Sequence, residues 1–211
     1  MADLGSSILP STVIGVVLAG GRSLRMGGGD KALLGLAGRP LLAHVIGRLG
    51  SQVRRLVLNA NGDPARFSQF GLPVIADVID GFVGPLGGVL TGMRWVRENS
   101  DCGWIVTVPS DTPFIPTNLV QRLIRELEPG VEITVARSRN RLHAAVALWP
   151  VALSDALGDW LRSDQRAIQA WLETRRWKAV DFEDHGGSDP FFNVNTPEDL
   201  AAAECHLKAP V

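Results

Sequence analysis

The chain reads as an α/β protein: a single Rossmann-like, doubly wound, mostly parallel sheet with helices on both faces. Three observations carry that expectation. Short apolar runs recur without the polar alternation of strands wet on one side, as suits strands covered on both faces. The segments between them space their apolar residues three and four apart, the helical period. The first run, Val13 to Leu18, breaks at its end into a glycine-rich loop, and in such sheets ligands bind beyond the carboxyl ends of the strands.

Taken in order, strands are expected at Val13–Leu18, Arg54–Asn59, Pro73–Ala76, Trp104–Val108, Glu132–Ala136, Ala144–Trp149 and Trp177–Phe182. A helix is expected after Pro40, where Leu42, Val45, Ile46 and Leu49 share a face and Pro suits a first helical turn. A second carries Val89, Met93 and Val96. A third follows Pro116 with Leu119, Val120, Leu123, Ile124 and Leu127, and a fourth follows Pro150 with Leu153, Leu157 and Leu161. Thr196-Pro197-Glu198-Asp199 marks the start of a last helix: a capping hydroxyl, Pro at the first position, and acids at the positive end of the dipole. Alternation of strand and helix implies right-handed βαβ units. Leu18, Asn59, Asp77 and Asp111 then sit at or just past four strand ends and should meet in one crevice.

A length of 211 residues suits one domain with a substantial core. Residues 1–12 read as a flexible leader and 13–211 as a single domain, in two parts at about 13–115 and 116–200. Hydrophobic content of 45% and charged content of 20% are those of a soluble globular protein. A net charge of −1 gives no broad basic field for nucleic acid, so positive potential must be local. Two cysteines, Cys102 and Cys205, are too few for a disulfide framework and read as thiols of a cytoplasmic protein. No run approaches the roughly 18 apolar residues of a membrane span, and the first 12 residues lack the pattern of a signal peptide.

The chemistry starts at Leu18-Ala19-Gly20-Gly21 and runs through Arg22, Arg25 and Gly27-Gly28-Gly29 to Asp30-Lys31. Glycines let main-chain N–H groups close on a ligand, and several such groups in a tight turn hold an anion. Lys31 is a compact charge that reaches a phosphate without bidentate geometry, and Arg22 and Arg25 would clamp a polyphosphate. The loop is not a Walker A motif, because Ala32 rather than Ser or Thr follows Lys31. Asp111, just past a buried strand, suits Mg²⁺ or, as an alternative, Mn²⁺; opening the turn Asp111-Thr112-Pro113 is the competing role. Asn193 and Asn195 flank Val194, so in extended chain both project to one face. There they could orient phosphates or complete a metal shell; turn-forming amides before a helix are the plainer reading. Arg137, Arg139 and Arg141, just before His143, could grip a second substrate's phosphate or equally form a solvated loop, and His143 is given no role in proton transfer. The six tryptophans are most simply packing.

The loop resembles the signature of nucleotidyltransferases that activate sugars and cofactors, and within them most resembles the molybdenum cofactor guanylyltransferases. The double glycine and the Gly-Gly-x-Asp-Lys ending set it apart from the Leu-Ala-Ala-Gly form of sugar-nucleotide and cytidylyl relatives. The likeness continues through Gly38-Arg39-Pro40-Leu41, Asn59-Ala60-Asn61, Gly84-Pro85-Leu86-Gly87-Gly88, Asp111-Thr112-Pro113 and Asn193-Val194-Asn195-Thr196-Pro197, so it spans nearly the whole chain. It implies transfer of GMP from GTP to the terminal phosphate of molybdopterin, with release of pyrophosphate. It implies that Leu18, Ala19, Gly20, Gly21, Arg22, Lys31, Asn59, Asp77, Pro85, Leu86 and Gly87 bind the nucleotide. By the same likeness Arg25, Lys31 and Asp111 are catalytic, Asp111 and Asn195 hold the metal, and Asn193, Asn195 and His143 face the acceptor. Many family members have His-Pro where this chain has His143-Ala144. Delivery proteins and recipient molybdoenzymes are the partners the resemblance implies. A cytidylyl or sugar-phosphate transferase on the same fold, a non-catalytic nucleotide-binding module and a GTPase are the competing readings.

Overall fold

The computed structural model describes residues 8–20, 30–79, 81, 84–184 and 189–208. Gly21, Arg22 and Arg25 of the expected loop lie outside the described residues. Among the described residues seven strands form one sheet: β1 (Val13–Leu18), β4 (Arg55–Asn59), β5 (Val74–Ile75), β6 (Trp104–Pro109), β7 (Ile133–Ser138), β8 (Arg141–Pro150) and β9 (Trp177–Asp181). A two-stranded ribbon of β2 (Gly35–Leu36) and β3 (Arg39–Pro40) stands apart. The spatial order is β5-β4-β1-β6-β8-β7-β9. All neighbours run parallel except β8, which is antiparallel to both β6 and β7.

The helices are α1 (Leu41–Leu49), α2 (Pro85–Asn99), α3 (Leu119–Arg125), α4 (Ser154–Arg162), α5 (Ile168–Glu173) and α6 (Pro197–Lys208). They cover both faces of the sheet. Along β1, Val13 and Val17 pack with α1 and α3, while Ile14, Val16 and Leu18 pack with α2, α4 and α5. Every residue of β1 is buried, so its apolar run needed no alternation. The anticipated βαβ reading thus holds for the first half of the sheet.

Four details differ from the sequence expectation. Pro40 ends the small ribbon and caps α1 rather than entering its first turn. The segment around Ile168 is helical, although its apolar residues are too few to announce it. The β8 strand reverses direction, through a two-residue link, Arg139-Asn140, whose φ angles are 47° and 59°. Both central residues positive is the hairpin turn that matches strand twist. Finally, residues 8–12 are not a loose leader: Pro10–Thr12 forms a helical turn and Ile8 packs on the core.

Because β8 runs backwards, its first residues share a rim with the last residues of the other strands. Leu18, Asn59 and Pro109 are level across β4, β1 and β6. The main chain continues that register beyond the strands, Ala19 N–H donating to Asn59 O and Ser110 N–H to Leu18 O, each at 2.9 Å.

Candidate active site

Three segments far apart in sequence meet just past the end of β6. Lys31 Nζ lies 2.5 Å from Asp111 Oδ2 and 2.6 Å from Asn195 Oδ1. Asn193 Nδ2 donates to the other oxygen, Asp111 Oδ1, at 3.1 Å. The main chain locks the same contact, Val194 N–H donating to Asp111 O at 2.9 Å. The Lys31 and Asp111 side chains are 18% and 17% exposed, so their attraction is less screened than a surface pair's while both groups stay within reach of a ligand.

The local sequence explains why this constellation forms. Val194 is fully buried against Leu36, Leu41 and Ala203, which anchors an extended stretch with Asn193 and Asn195 on the opposite side. Asp199 fixes the exit. Its Oδ2 accepts the N–H groups of Asn195 at 2.8 Å and Thr196 at 2.9 Å, while Thr196 Oγ1 accepts Asp199 N–H at 3.1 Å. That reciprocal cap starts α6 and sets the angle at which Asn195 leaves it.

A second cluster lies at the ends of β4 and β5. Asn59, 3% exposed, donates through Nδ2 to Asp77 Oδ1 at 2.9 Å. Asn61 holds Asp77 from the other side, Nδ2 donating to Oδ2 and Oδ1 accepting Asp77 N–H, both at 2.8 Å. A carboxylate offers about four lone-pair sites, so two remain for a ligand. The α2 end closes on this cluster. A Cβ built on Gly88 would stand 2.3 Å from Asn59 Oδ1 and 2.6 Å from Leu18 Cδ2, so only glycine lets the helix approach so near. Gly84, Pro85, Leu86 and Gly87 form the first turn of α2 or its cap, with Leu86 fully buried beneath them. Thr91 ties down the loop that precedes α2, its Oγ1 accepting Val78 N–H at 3.0 Å and donating to Gly87 O at 2.8 Å.

His143 stands apart from both clusters, at the start of β8 and 8% exposed. Its Nε2 lies 2.7 Å from Ser138 Oγ, which donates to Asp189 Oδ1 at 2.6 Å. A hydroxyl has one proton to give. With that proton on Asp189, His143 Nε2 supplies its own. Burial pushes the His143 pKa below its ordinary 6.5, with Arg141 adding to that shift and Asp189 opposing it. Asp189 also accepts Phe191 N–H at 2.9 Å, and the Phe191 ring packs 4.8 Å from His143. His143 therefore holds the start of the segment that carries Asn193 and Asn195.

The structure brings Leu18, Ala19, Gly20, Lys31, Asn59, Asp77, Pro85, Leu86, Gly87, Asp111, Asn193 and Asn195 to one rim, which is what the strand-end rule requires. Sequence reasoning missed Asn61 and Thr91 as parts of this cluster. Asn61 stood inside the Asn59-Ala60-Asn61 motif, whereas Thr91 had no local signal. A surface groove at the opposite rim, lined by Arg54, Arg55, Trp95, Asn99, Ser100 and Asp101, holds none of the expected site residues. Among the described residues no three His, Cys, Asp or Glu side chains gather as metal ligands. The Asp111 and Asn195 oxygens nevertheless converge on one cation, the Lys31 ammonium. A carboxylate and an amide oxygen are the hard donors Mg²⁺ prefers when water and phosphate complete its shell.

A MobA-like NTP transferase domain matches residues 15–180. The chain belongs to the molybdenum cofactor guanylyltransferase family. A relative of that name from Mesorhizobium japonicum is 47% identical over 90% of this chain and 94% of its own length. Another, from Rhodopseudomonas palustris strain BisB5, is 50% identical over 90% and 91%. The fold is also that of molybdopterin-guanine dinucleotide biosynthesis protein A from Archaeoglobus fulgidus. That structure covers 92% of this chain and 98% of its own at a TM-score of 0.72 and 22% identity. The family members are nucleotidyltransferases, and the chain is one by membership. Among the described residues no helix is long and apolar enough to cross a membrane.

Proposed function

We propose that this chain transfers GMP from GTP to the terminal phosphate of molybdopterin, with GTP lying along the rim from Asp77 to Lys31. The observation that carries the reading is the meeting of Lys31, Asp111, Asn193 and Asn195 at the end of β6. An acceptor phosphate oxygen forms a bond to the α-phosphorus, the bond from that phosphorus to the bridging oxygen breaks, and pyrophosphate leaves. A phosphate monoester is already mostly ionised near neutral pH, its second pKa being about 6. No general base is needed, and His143, buried and bonded to Ser138, is not placed as one.

The protein's work is then to hold two anions together. Lys31 sets a positive charge against the triphosphate, helped by Arg22, Arg25 and the N–H groups of the loop after Gly20. Asp111 and Asn195 would hold Mg²⁺, which when bound offsets phosphate charge. Asp77 accepts the donor edge of guanine while Asn59 and Asn61 fix its orientation, and the Pro85–Gly87 turn closes over the base. Asn193 and Asn195 face the acceptor, with His143 holding their segment in place. The halves at about 13–115 and 116–200 serve nucleotide and acceptor in turn. The reaction belongs to the cytoplasm, and delivery proteins and recipient molybdoenzymes are its partners.

Pyrophosphate release with molybdopterin, GTP and Mg²⁺, compared with the same assay using CTP, tests this reading. GTP should be the faster donor and chelation should stop the reaction. Faster turnover of CTP would remove the guanine assignment.

A further inference from the structure

Arg66 links the two clusters described above. It lies in the helical turn Pro64–Phe70, far from either strand end in sequence. Its Nε stands 2.6 Å from Asp30 Oδ2, a charge pair by proximity rather than an aligned N–H bond, and its Nη2 donates to Asn61 O at 2.5 Å. The guanidinium also stacks 4.7 Å from the Phe67 ring. Asp30 immediately precedes Lys31, and Asn61 holds Asp77.

The surroundings are shaped to admit this side chain. Gly62 has φ of 85°, and a Cβ there would meet Arg66 Nη1 at 2.8 Å, so a side chain at 62 would displace the guanidinium. Asp63 starts the turn by accepting Ala65 N–H at 2.8 Å, with Pro64 at its first position. Asp30 sits at the cap of the turn Lys31–Leu33, yet its side chain caps nothing there; it faces Arg66 instead. The Arg66 and Asp30 side chains are 32% and 22% exposed, enough shelter for the pair to be worth more than a surface contact.

We propose that Arg66 is a positioning residue of the nucleotide site, a strut that fixes the Asp30-Lys31 end of the glycine loop against the Asn61–Asp77 pair. It touches neither phosphate nor base. It sets the spacing between the cation that meets the triphosphate and the carboxylate that meets the base. The inference rests on the reading of this rim as a GTP site.

A double-mutant cycle tests it. GTP dissociation constants are measured by calorimetry for wild type, Arg66→Gln, Asp30→Asn and the double variant, with far-ultraviolet circular dichroism confirming the fold. Each single change should weaken GTP about tenfold, in the range of coupled neighbours, and the double should be no weaker than either. Arg66→Lys should recover part of the loss, because it restores the charge facing Asp30 but not the second contact to Asn61. At saturating GTP, kcat should fall less than KM rises. Additive losses would overturn the strut, and so would an Asp30→Asn variant that binds like wild type, since Arg66 would then act on the nucleotide directly. Wild-type protein that fails to bind GTP would remove the site and the strut together. Wild-type binding with an additive cycle would remove the strut alone.

Discussion

The side of the rim proposed for the nucleotide and the side proposed for the acceptor are built differently. At β1, β4 and α2 the polar groups are amides and one carboxylate, mutually bonded and pressed against glycine, with Asn59 3% exposed. At β7, β8 and β9 the rim is made of arginine–carboxylate pairs: Arg137 with Asp181 and Arg139 with Asp184. The first arrangement has its ligand-facing atoms oriented before anything binds. The second is a set of long, half-exposed side chains that can regroup. The contrast suits a small planar base on one side and a bulky phosphorylated acceptor on the other.

The largest effects should come from the point where the two sides meet. Asp111→Ala should lower pyrophosphate release about 100-fold or more, as loss of a preorganised charge at the reacting centre does. Lys31→Ala should weaken GTP binding as well, seen by calorimetry. If Asp111→Ala released pyrophosphate at the wild-type rate with limiting Mg²⁺, the meeting point would not be the reacting centre.

On the nucleotide side alone, Gly88→Ala should act next most strongly. Its Cβ would overlap Asn59 Oδ1 and Leu18 Cδ2. Overpacking of that kind costs about 1–3 kcal/mol, readable from urea unfolding. KM for GTP should rise because Asn59 must turn, while KM for the acceptor should hold. Equal rises in both constants would show that the two sides are not separate.

On the acceptor side, His143 gives a smaller, pH-dependent effect. Burial lowers its pKa in the folded protein, whereas in the unfolded chain it titrates at its ordinary 6.5. The unfolded chain therefore gains the proton first as pH falls. The His143 contribution is intact above about 6.5 and is lost below it, with a slope of at most about 1.4 kcal/mol per pH unit for one proton. Urea midpoints of wild type should decline from neutral to mildly acidic pH, and His143→Gln should flatten that decline. An unchanged slope would mean that His143 is not the group being charged.

The same contrast governs how much could be read from sequence. The parallel half was legible because Val13–Leu18 is a continuous apolar run ending in a glycine loop, and Trp104–Val108, interrupted only by Thr107, runs toward Asp111. Asp111 stood out mainly by likeness to the family, and the Asn193–Asn195 pair by spacing and likeness together; the structure brings them together with Lys31. The direction of β8 was not legible, since an apolar run reads the same in either sense. Asn140 in a two-residue link was the signal available, and Arg139 at positive φ hid it. Nor was the Arg66 strut, because Asp30, Asn61 and Arg66 become neighbours only once the chain has folded. His143 was placed on the acceptor wall by likeness to the family. Its bond to Ser138 lies across the hairpin that the sequence did not disclose.

The smallest effect separates the two kinds of construction most cleanly. Arg137 pairs with Asp181 through two bonds, Nε to Oδ1 at 2.5 Å and Nη2 to Oδ2 at 2.6 Å, and the pairing holds the Asp181 carboxyl below its ordinary range. Both side chains are exposed, 41% and 66%, so the attraction is screened as ions are added. Arg137→Gln should lower the urea midpoint slightly in dilute buffer. At about 1 M salt, where the screening length falls to about 3 Å, the difference from wild type should vanish. The Gly88→Ala penalty should be the same at both salt concentrations, because steric overlap is not screened. If the Arg137→Gln difference survived high salt, its side chain would be packing rather than pairing, and the acceptor side would be as rigid as the nucleotide side.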